Sequence, residues 1–499
     1  MKHLLILFTI LSLGNCNPDS STDRNQLGAI ALGLLSQGQI RVNQAQDLPQ
    51  TSNDDYNQNT NGLITAATLS RFVQNWNTEK TRLGISGKLN ILQINSSVNT
   101  APDPGYIQSN PSIGVNVYAY NPSDSNLGLR QVRNDGILSL PTIPEGAKID
   151  AFLKAYGIDL QNDLTVFVSG RGISSQYNNI GRGWYVLRRW GASGTNLAVL
   201  NGALYTDSSQ SLTTVGQVFQ SAGQITTSPQ PQPNNGTFSV KQLKVDNTIL
   251  SLAVEDVIQA VRDPRQVPGL GSSVFIVDAR SQPEFGGAFA GTTPLSGDFT
   301  NSKGATAPFY PGYGTGSTKS QPFEGSIRGA KSVPWQNLLQ SVTTNDAGGF
   351  QYISKAQLAN AFAQAGYTTG QTTLHYCRTN QRSMTTTIAT VLVLGYPTAT
   401  YENSFVEWLS LTGPTGSVTQ ANNSGSFLIG TGSRFATDSS DLTQNLRVNN
   451  IGDARVNTTT GAISGTVTGI VAPSDIPDFN ATATTSKLVN SADKLYKLQ

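Results

Sequence analysis

Cysteine and histidine are nearly absent from this chain: 499 residues contain two of each. His3 lies in an N-terminal apolar segment, which leaves His375 as the one imidazole further along. A zinc site built from cysteine and histidine therefore lacks ligands, and no metal or cofactor is expected. A Ser-His-Asp arrangement and a glycine-rich phosphate loop are missing as well. Charge is also scarce. Asp, Glu, Lys and Arg make up 13% of the residues, against about 25% in typical soluble domains, and Asn, Gln, Ser and Thr take their place. With a formal net charge of +2 and scattered basic residues, no nucleic-acid partner is indicated. No apolar run is long enough to span a bilayer: the longest, Leu4 to Leu13, is about half of what a crossing helix needs.

That run follows Met1-Lys2-His3 and precedes Gly14-Asn15-Cys16, the layout of a signal peptide. Leu13, three residues before Cys16, resembles a bacterial lipobox, with Asn15 where a small residue is usual. The resemblance implies lipidation of Cys16 and a membrane anchor. Asn17 is not the aspartate that commonly retains lipoproteins at the inner membrane, so an exported protein on the outer membrane or periplasmic face is expected. The bland alternative is an ordinary signal peptide with an incidental cysteine. With Cys16 lipidated or removed, one thiol remains and no intrachain disulfide can form.

Residues 1–16 are thus read as the signal segment and 17–60 as a polar tether. A first folded unit is expected over 61–222, a proline-rich linker over 223–238, a second unit over 239–413 and a polar extension over 414–499. The extension is either an appended lobe or irregular chain. The two units repeat one order of elements. Leu89–Ile94, Leu164–Val168 and Leu197–Leu200 are short apolar runs, with a helical pattern over Gly183–Trp190. Val274–Val277, Thr373–Tyr376 and Thr398–Tyr401 correspond to them, with a helical pattern over Met384–Leu394. Strands alternating with helices predict an α/β architecture with a parallel sheet in each unit, arising by internal duplication.

Cys377 stands where the buried strand Thr373–Tyr376 meets a helix, and opens the polar stretch Cys377-Arg378-Thr379-Asn380-Gln381-Arg382-Ser383. Backbone N–H groups at a helix start stabilise negative charge, and neighbouring guanidiniums favour thiolate over thiol. A nucleophilic role is expected for Cys377. The bland alternative is a buried structural cysteine. Asn380 is suited to a left-handed turn in this stretch. His375 reads as a packed strand residue, and Trp335 and Trp408 read as core aromatics.

Four segments in order resemble the two-domain rhodanese family. Val277-Asp278-Ala279-Arg280-Ser281 followed by Glu284-Phe285 is similar to its strand-end Asp-x-Arg element. Gly325-Ser326-Ile327-Arg328-Gly329-Ala330 resembles its glycine-rich turn, with Ser326 in place of histidine and Arg328 in place of proline. Tyr376 to Ser383 resembles its active-site loop, and Tyr401-Glu402-Asn403-Ser404-Phe405-Val406-Glu407-Trp408 its closing segment. The likeness covers roughly residues 60–412, and the first unit, which has no cysteine, corresponds to the non-catalytic half. The Cys-x4-Arg spacing from Cys377 to Arg382 matches sulfurtransferases. Phosphatases and arsenate reductases of related fold use Cys-x5-Arg, a larger loop that encircles a tetrahedral oxyanion.

The resemblance implies two tandem rhodanese-like domains and sulfur transfer through a Cys377 persulfide. The donor would be a small sulfur anion such as thiosulfate, and the acceptor cyanide or a thiol. Arg378, Thr379, Asn380, Gln381, Arg382 and Ser383 would bind the substrate. Asp278 and Arg280 would support the loop, and Glu284, which stands where several relatives have an anion-binding arginine, would oppose a dianion. The competing expectation is a non-catalytic surface lipoprotein that binds sulfur species or serves adhesion.

Overall fold

The computed structural model describes residues 40–94, 104–133, 141–172, 174–207, 209–281, 285, 318–319, 326–343, 345–405, 408, 437–438, 455–457, 463–464 and 485–499. Cys16 and Glu284 lie outside the described residues.

Two five-stranded sheets organise the chain. The first contains β1 (Gly62–Ile64), β2 (Leu89–Ile94), β3 (Val115–Tyr120), β4 (Leu164–Arg171) and β5 (Leu197–Tyr205) in the spatial order β1-β5-β4-β2-β3. The second contains β6 (Ser251–Leu252), β7 (Val274–Asp278), β8 (Lys331–Ser332), β9 (Thr372–Tyr376) and β10 (Thr398–Tyr401) in the order β6-β10-β9-β7-β8. Every pairing in both sheets is parallel. Each strand of the first sheet therefore has a counterpart at the same rank and place in the second. The expected α/β architecture is present twice.

Parallel strands buried on both faces normally read as unbroken apolar runs. β4 meets this with Leu164, Val166, Phe167 and Val168, all fully buried. The second sheet instead buries threonines, which keep the β-branched shape that suits a strand. Their hydroxyls cost little because each finds an acceptor. Thr373 Oγ1 donates to Pro397 O (3.1 Å), Thr398 Oγ1 to Tyr396 O (2.8 Å) and Thr400 Oγ1 to Leu250 O (2.9 Å).

Helices cover the sheets: α1 (Ala66–Leu83), α2 (Gly146–Tyr156), α3 (Ser174–Arg189) and α4 (Thr214–Ser221) in the first half, α5 (Val254–Arg262), α6 (Lys355–Gln364) and α7 (Ser383–Ile388) in the second. α1 starts where Thr65 Oγ1 accepts from Thr68 N (3.3 Å) and stops at Gly84, left-handed at φ +69°. α7 runs on into a π-turn over Ala389–Val393. A single apolar core extends through both halves, including Trp184, Tyr185 and Leu187 of α3 and Met384, Ile388 and Val391 of the second half. A separate cluster under α1 packs Leu69, Phe72 and Trp76 on Ile91, Val117 and Val166.

The helices that follow the two central strands, α3 and α7, meet at the junction of the halves. Gly181 makes this approach close: a Cβ there would sit 2.9 Å from Met384 Cβ. Thr385 Oγ1 donates to Asn178 Oδ1 across the junction (2.8 Å).

Three polar stretches are more engaged than their composition suggested. Residues 41–59, within the expected tether, lie along the second half. Arg41–Val42 pair in parallel with Val245–Asp246, Gln50 N donates to Val391 O (2.7 Å) and Lys355 Nζ to Ser52 O (2.7 Å). The amide-rich side chains that suggested a solvated chain satisfy backbone groups instead, as where Asn59 Nδ2 donates to Leu63 O (2.7 Å). The proline-rich segment is docked on β3, where Gln230 N donates to Val117 O (2.9 Å). Within 414–499, a helix α8 (Thr485–Leu498) packs on the first half. Its Asp493 pairs with Arg133 (3.0 Å) and Arg189 (2.6 Å), and Tyr496 OH donates to Asp150 Oδ2 (2.7 Å). Among the described residues no helix is long and apolar enough to cross a membrane.

Candidate active site

β9 is the central strand of the second sheet and delivers Cys377 to its carboxyl end, the edge where open parallel sheets place ligand sites. The backbone of Cys377 is held by the closing segment: its N–H donates to Ser404 Oγ (3.4 Å) and its carbonyl accepts from Phe405 N (3.0 Å). Ser383 Oγ lies 3.6 Å from Cys377 Sγ and 2.7 Å from Asn380 Oδ1. A hydroxyl has one proton, so Ser383 gives it to the sulfur or to the amide, and a gain of charge on the sulfur draws it inward. Asn380 takes the left-handed turn at φ +53°, in keeping with the tolerance expected of it.

Burial divides the loop into two sides. Cys377, Arg378, Asn380 and Ser383 are buried, whereas Thr379, Gln381 and Arg382 are half-buried and form the outward side. Of the loop side chains, that of Ser383 is the one placed against the Cys377 sulfur.

A buried carboxylate of the closing segment, Glu402, lies behind the loop. Glu402 accepts from Asn380 Nδ2 (2.8 Å), from Tyr185 OH (2.9 Å) and from both Nη atoms of Arg182 (2.5 and 3.0 Å). Burial pushes the Glu402 carboxyl up, but Arg182, Asn380 and Tyr185 outweigh it and hold the group below the usual carboxylate range. Arg182 and Tyr185 come from α3, so the loop of one half rests on a helix of the other. Nothing local in the sequence marks this contact. It requires α3 and α7 to meet, which follows only from the assembled sheets.

Asp278 and Arg280 form a second buried pair, with Arg280 Nη2 2.6 Å from Asp278 Oδ2 and Nε 2.9 Å from Oδ1. The guanidinium lies 3.9 Å from the Phe405 ring centroid. Ala279 N donates to Tyr376 O (2.9 Å). The pair therefore braces the strand end and the closing segment that hold Cys377 from opposite sides. Trp335 and Trp408 are core residues. Among the described residues no group of three or more His, Cys, Asp and Glu is arranged to hold a metal ion.

His375 is fully buried between two hydroxyls, Thr386 Oγ1 at Nδ1 (2.9 Å) and Thr390 Oγ1 at Nε2 (2.9 Å). Burial pushes its pKa down to about 3. The folded state thus holds a neutral ring, while the unfolded chain binds a proton below about pH 6.5. Stability is undiminished above that pH and falls as pH drops through the window toward 3, by up to ~1.4 kcal/mol per pH unit for this one group. Urea midpoints of the native chain and of His375→Gln, compared at pH 7 and 5, are expected to diverge, with the native chain losing more stability on acidification. Equal losses would refute the assignment.

No protein-family model matches the chain. A Haloferax volcanii protein with the provisional name thiosulfate sulfurtransferase is 34% identical over 90 residues, 18% of this chain and 29% of the relative. The match therefore spans under a third of that relative's length. Among solved structures, the 3-mercaptopyruvate sulfotransferase SseA of Escherichia coli, described as having the "Rhodanese" fold, is 15% identical with a TM-score of 0.41 over 68% of this chain and 98% of that one. An anaerobic ergothioneine biosynthesis enzyme from Chlorobium limicola is 14% identical with a TM-score of 0.43, covering 67% of this chain and 69% of that one.

Proposed function

We propose that this protein is a rhodanese-like sulfurtransferase that carries sulfane sulfur on Cys377. One observation supports this above the others: a single thiol at the end of a central parallel strand, wrapped by a loop in which Ser383 faces the sulfur. In the first step the Cys377 thiolate attacks the outer sulfur of an anionic donor. The new S–S bond forms as the donor's bond to its outer sulfur breaks: S–S in thiosulfate, where the electron pair leaves on sulfite, and C–S in mercaptopyruvate, where it leaves as pyruvate enolate. In the second step cyanide or a thiolate attacks the outer sulfur of the persulfide, and Cys377 departs as thiolate. The cycle consumes no oxidant and is covalent catalysis of the ping-pong kind. Ser383 and the loop N–H groups receive the charge that moves on and off the sulfur.

The test is direct. The full chain incubated with thiosulfate and no acceptor is expected to gain the mass of one sulfur atom on the Cys377 peptide, and cyanide is expected to remove it as thiocyanate. Failure of thiosulfate, mercaptopyruvate and glutathione persulfide alike to load Cys377 would overturn the proposal.

A further inference from the structure

The loop that connects β3 to the rest of the first half carries Arg130, a residue absent from the sequence-based set, and this loop is rigidly pinned. Lys148 Nζ donates to Ser125 O and Arg130 O (both 2.8 Å), Leu129 N donates to Tyr120 OH (2.9 Å) and Gly128 N to Asp124 O (2.9 Å). Gly128 is closely enclosed: a Cβ would lie 2.5 Å from Pro122 O. The Arg130 guanidinium crosses the junction to the Cys377 loop, where both Nη atoms lie within hydrogen-bonding reach of the Gln381 side-chain amide, whose oxygen turns toward them.

Arg130 differs from the other guanidiniums around this loop. Arg182 spends its charge on Glu402 in a two-pronged pair. Among the described residues no carboxylate lies within ion-pair distance of Arg130. Its Nε is enclosed and has no hydrogen-bond partner among the described residues, although the side chain as a whole is half-buried. Burial and the neighbouring Arg182 push its pKa down to about 10, still leaving it charged at neutral pH, and Cys377 and Glu402 are among the groups that act on it electrically. A guanidinium with no carboxylate at ion-pair distance among the described residues, held by this loop against the outward face of the cysteine loop, attracts an oxyanion that can accept from two of its N–H groups at once.

We propose that Arg130 is a specificity-determining residue that binds the anionic head of the sulfur donor, so that the first half supplies the donor selectivity and the second half the nucleophile. Gln381 occupies the fork until a donor arrives. This inference rests on the Cys377 reading above for what happens after binding, but not for the binding itself.

The two are therefore separable by experiment. Thiosulfate binding to the full-length Cys377→Ser protein, measured by calorimetry, involves no chemistry. Adding Arg130→Gln to it is expected to weaken binding at least tenfold, and Arg130→Lys is expected to recover part of the loss, since it keeps the charge without the fork. Raising salt is expected to weaken binding to the Arg130 protein more than to Arg130→Gln. In the Cys377 protein, Arg130→Gln is expected to raise the KM for thiosulfate with a much smaller change in kcat. Unchanged affinity in Arg130→Gln, with folding confirmed by circular dichroism, would overturn the proposal. So would a Gln381→Ala protein that reproduces the whole loss and makes Arg130→Gln silent, because Arg130 would then merely position Gln381. If thiosulfate binds in the Arg130-dependent way yet neither it nor mercaptopyruvate nor glutathione persulfide loads Cys377, the anion site stands and the sulfurtransferase reading fails.

Discussion

Cys377→Ser is expected to lower sulfur transfer from thiosulfate to cyanide by at least about three orders of magnitude while leaving the fold in place. The magnitude follows from the chemistry of the position. A serine hydroxyl is far less acidic than a thiol and forms no persulfide, so the covalent route is removed rather than slowed. The fold survives because the exchange is close to isosteric. Cys377 is 1% exposed, its backbone bonds to Ser404 and Phe405 do not involve the side chain, and a serine oxygen can accept from Ser383 as the sulfur does. A stability change within about 1 kcal/mol is expected in urea unfolding, as for substitutions that conserve volume. Thiocyanate formation near the native rate in Cys377→Ser would exclude this cysteine as the sulfur carrier.

Glu402→Ala carries the largest expected cost in stability. Arg182 and Glu402 are both buried, and removing one partner leaves an uncompensated charge, a loss on the order of 3–5 kcal/mol. Asn380 and Tyr185 lose an acceptor at the same time, so the cysteine loop loosens along with the junction of the halves. The double variant Glu402→Leu with Arg182→Met removes the charges together and is expected to regain a large part of that stability, because an apolar pair of similar volume often replaces a buried ion pair with little penalty. Chemical denaturation of Glu402→Ala, of Arg182→Met and of the double variant checks this. A Glu402→Ala protein within about 1 kcal/mol of the native chain would show that the pair contributes little.

What the sequence disclosed reflects which interactions are local. The strands Leu89–Ile94, Thr373–Tyr376 and Thr398–Tyr401 were legible because apolar or β-branched residues run together there, and each lies within one sequence window. The turn at Asn380 was legible from that residue's backbone preference alone. Arg182, Tyr185 and Glu402 were not legible as a unit, since up to 220 residues separate partners that only the two packed sheets bring together. Arg130 was hidden for the same reason. The docking of residues 41–59 was masked by composition: Asn and Gln serve equally as solvated side chains and as partners for buried backbone, and burial decides which.

The way residues 41–59 and α8 bind has a consequence for how the chain acquires its structure. On the ribosome, residues 41–59 emerge before either sheet but lie against Val245–Asp246, Ile353, Lys355 and Val391–Val393, which are made several hundred residues later. α8, made later still, fastens onto Arg133, Asp150 and Arg189 of the first half. The first half thus waits for α8, and residues 41–59 wait for the second half. Closure of such long loops is slow, and unpaired surface stays open in the meantime. Early and late segments enclose the middle of the chain, so the two sheets are expected to unfold together rather than one after the other.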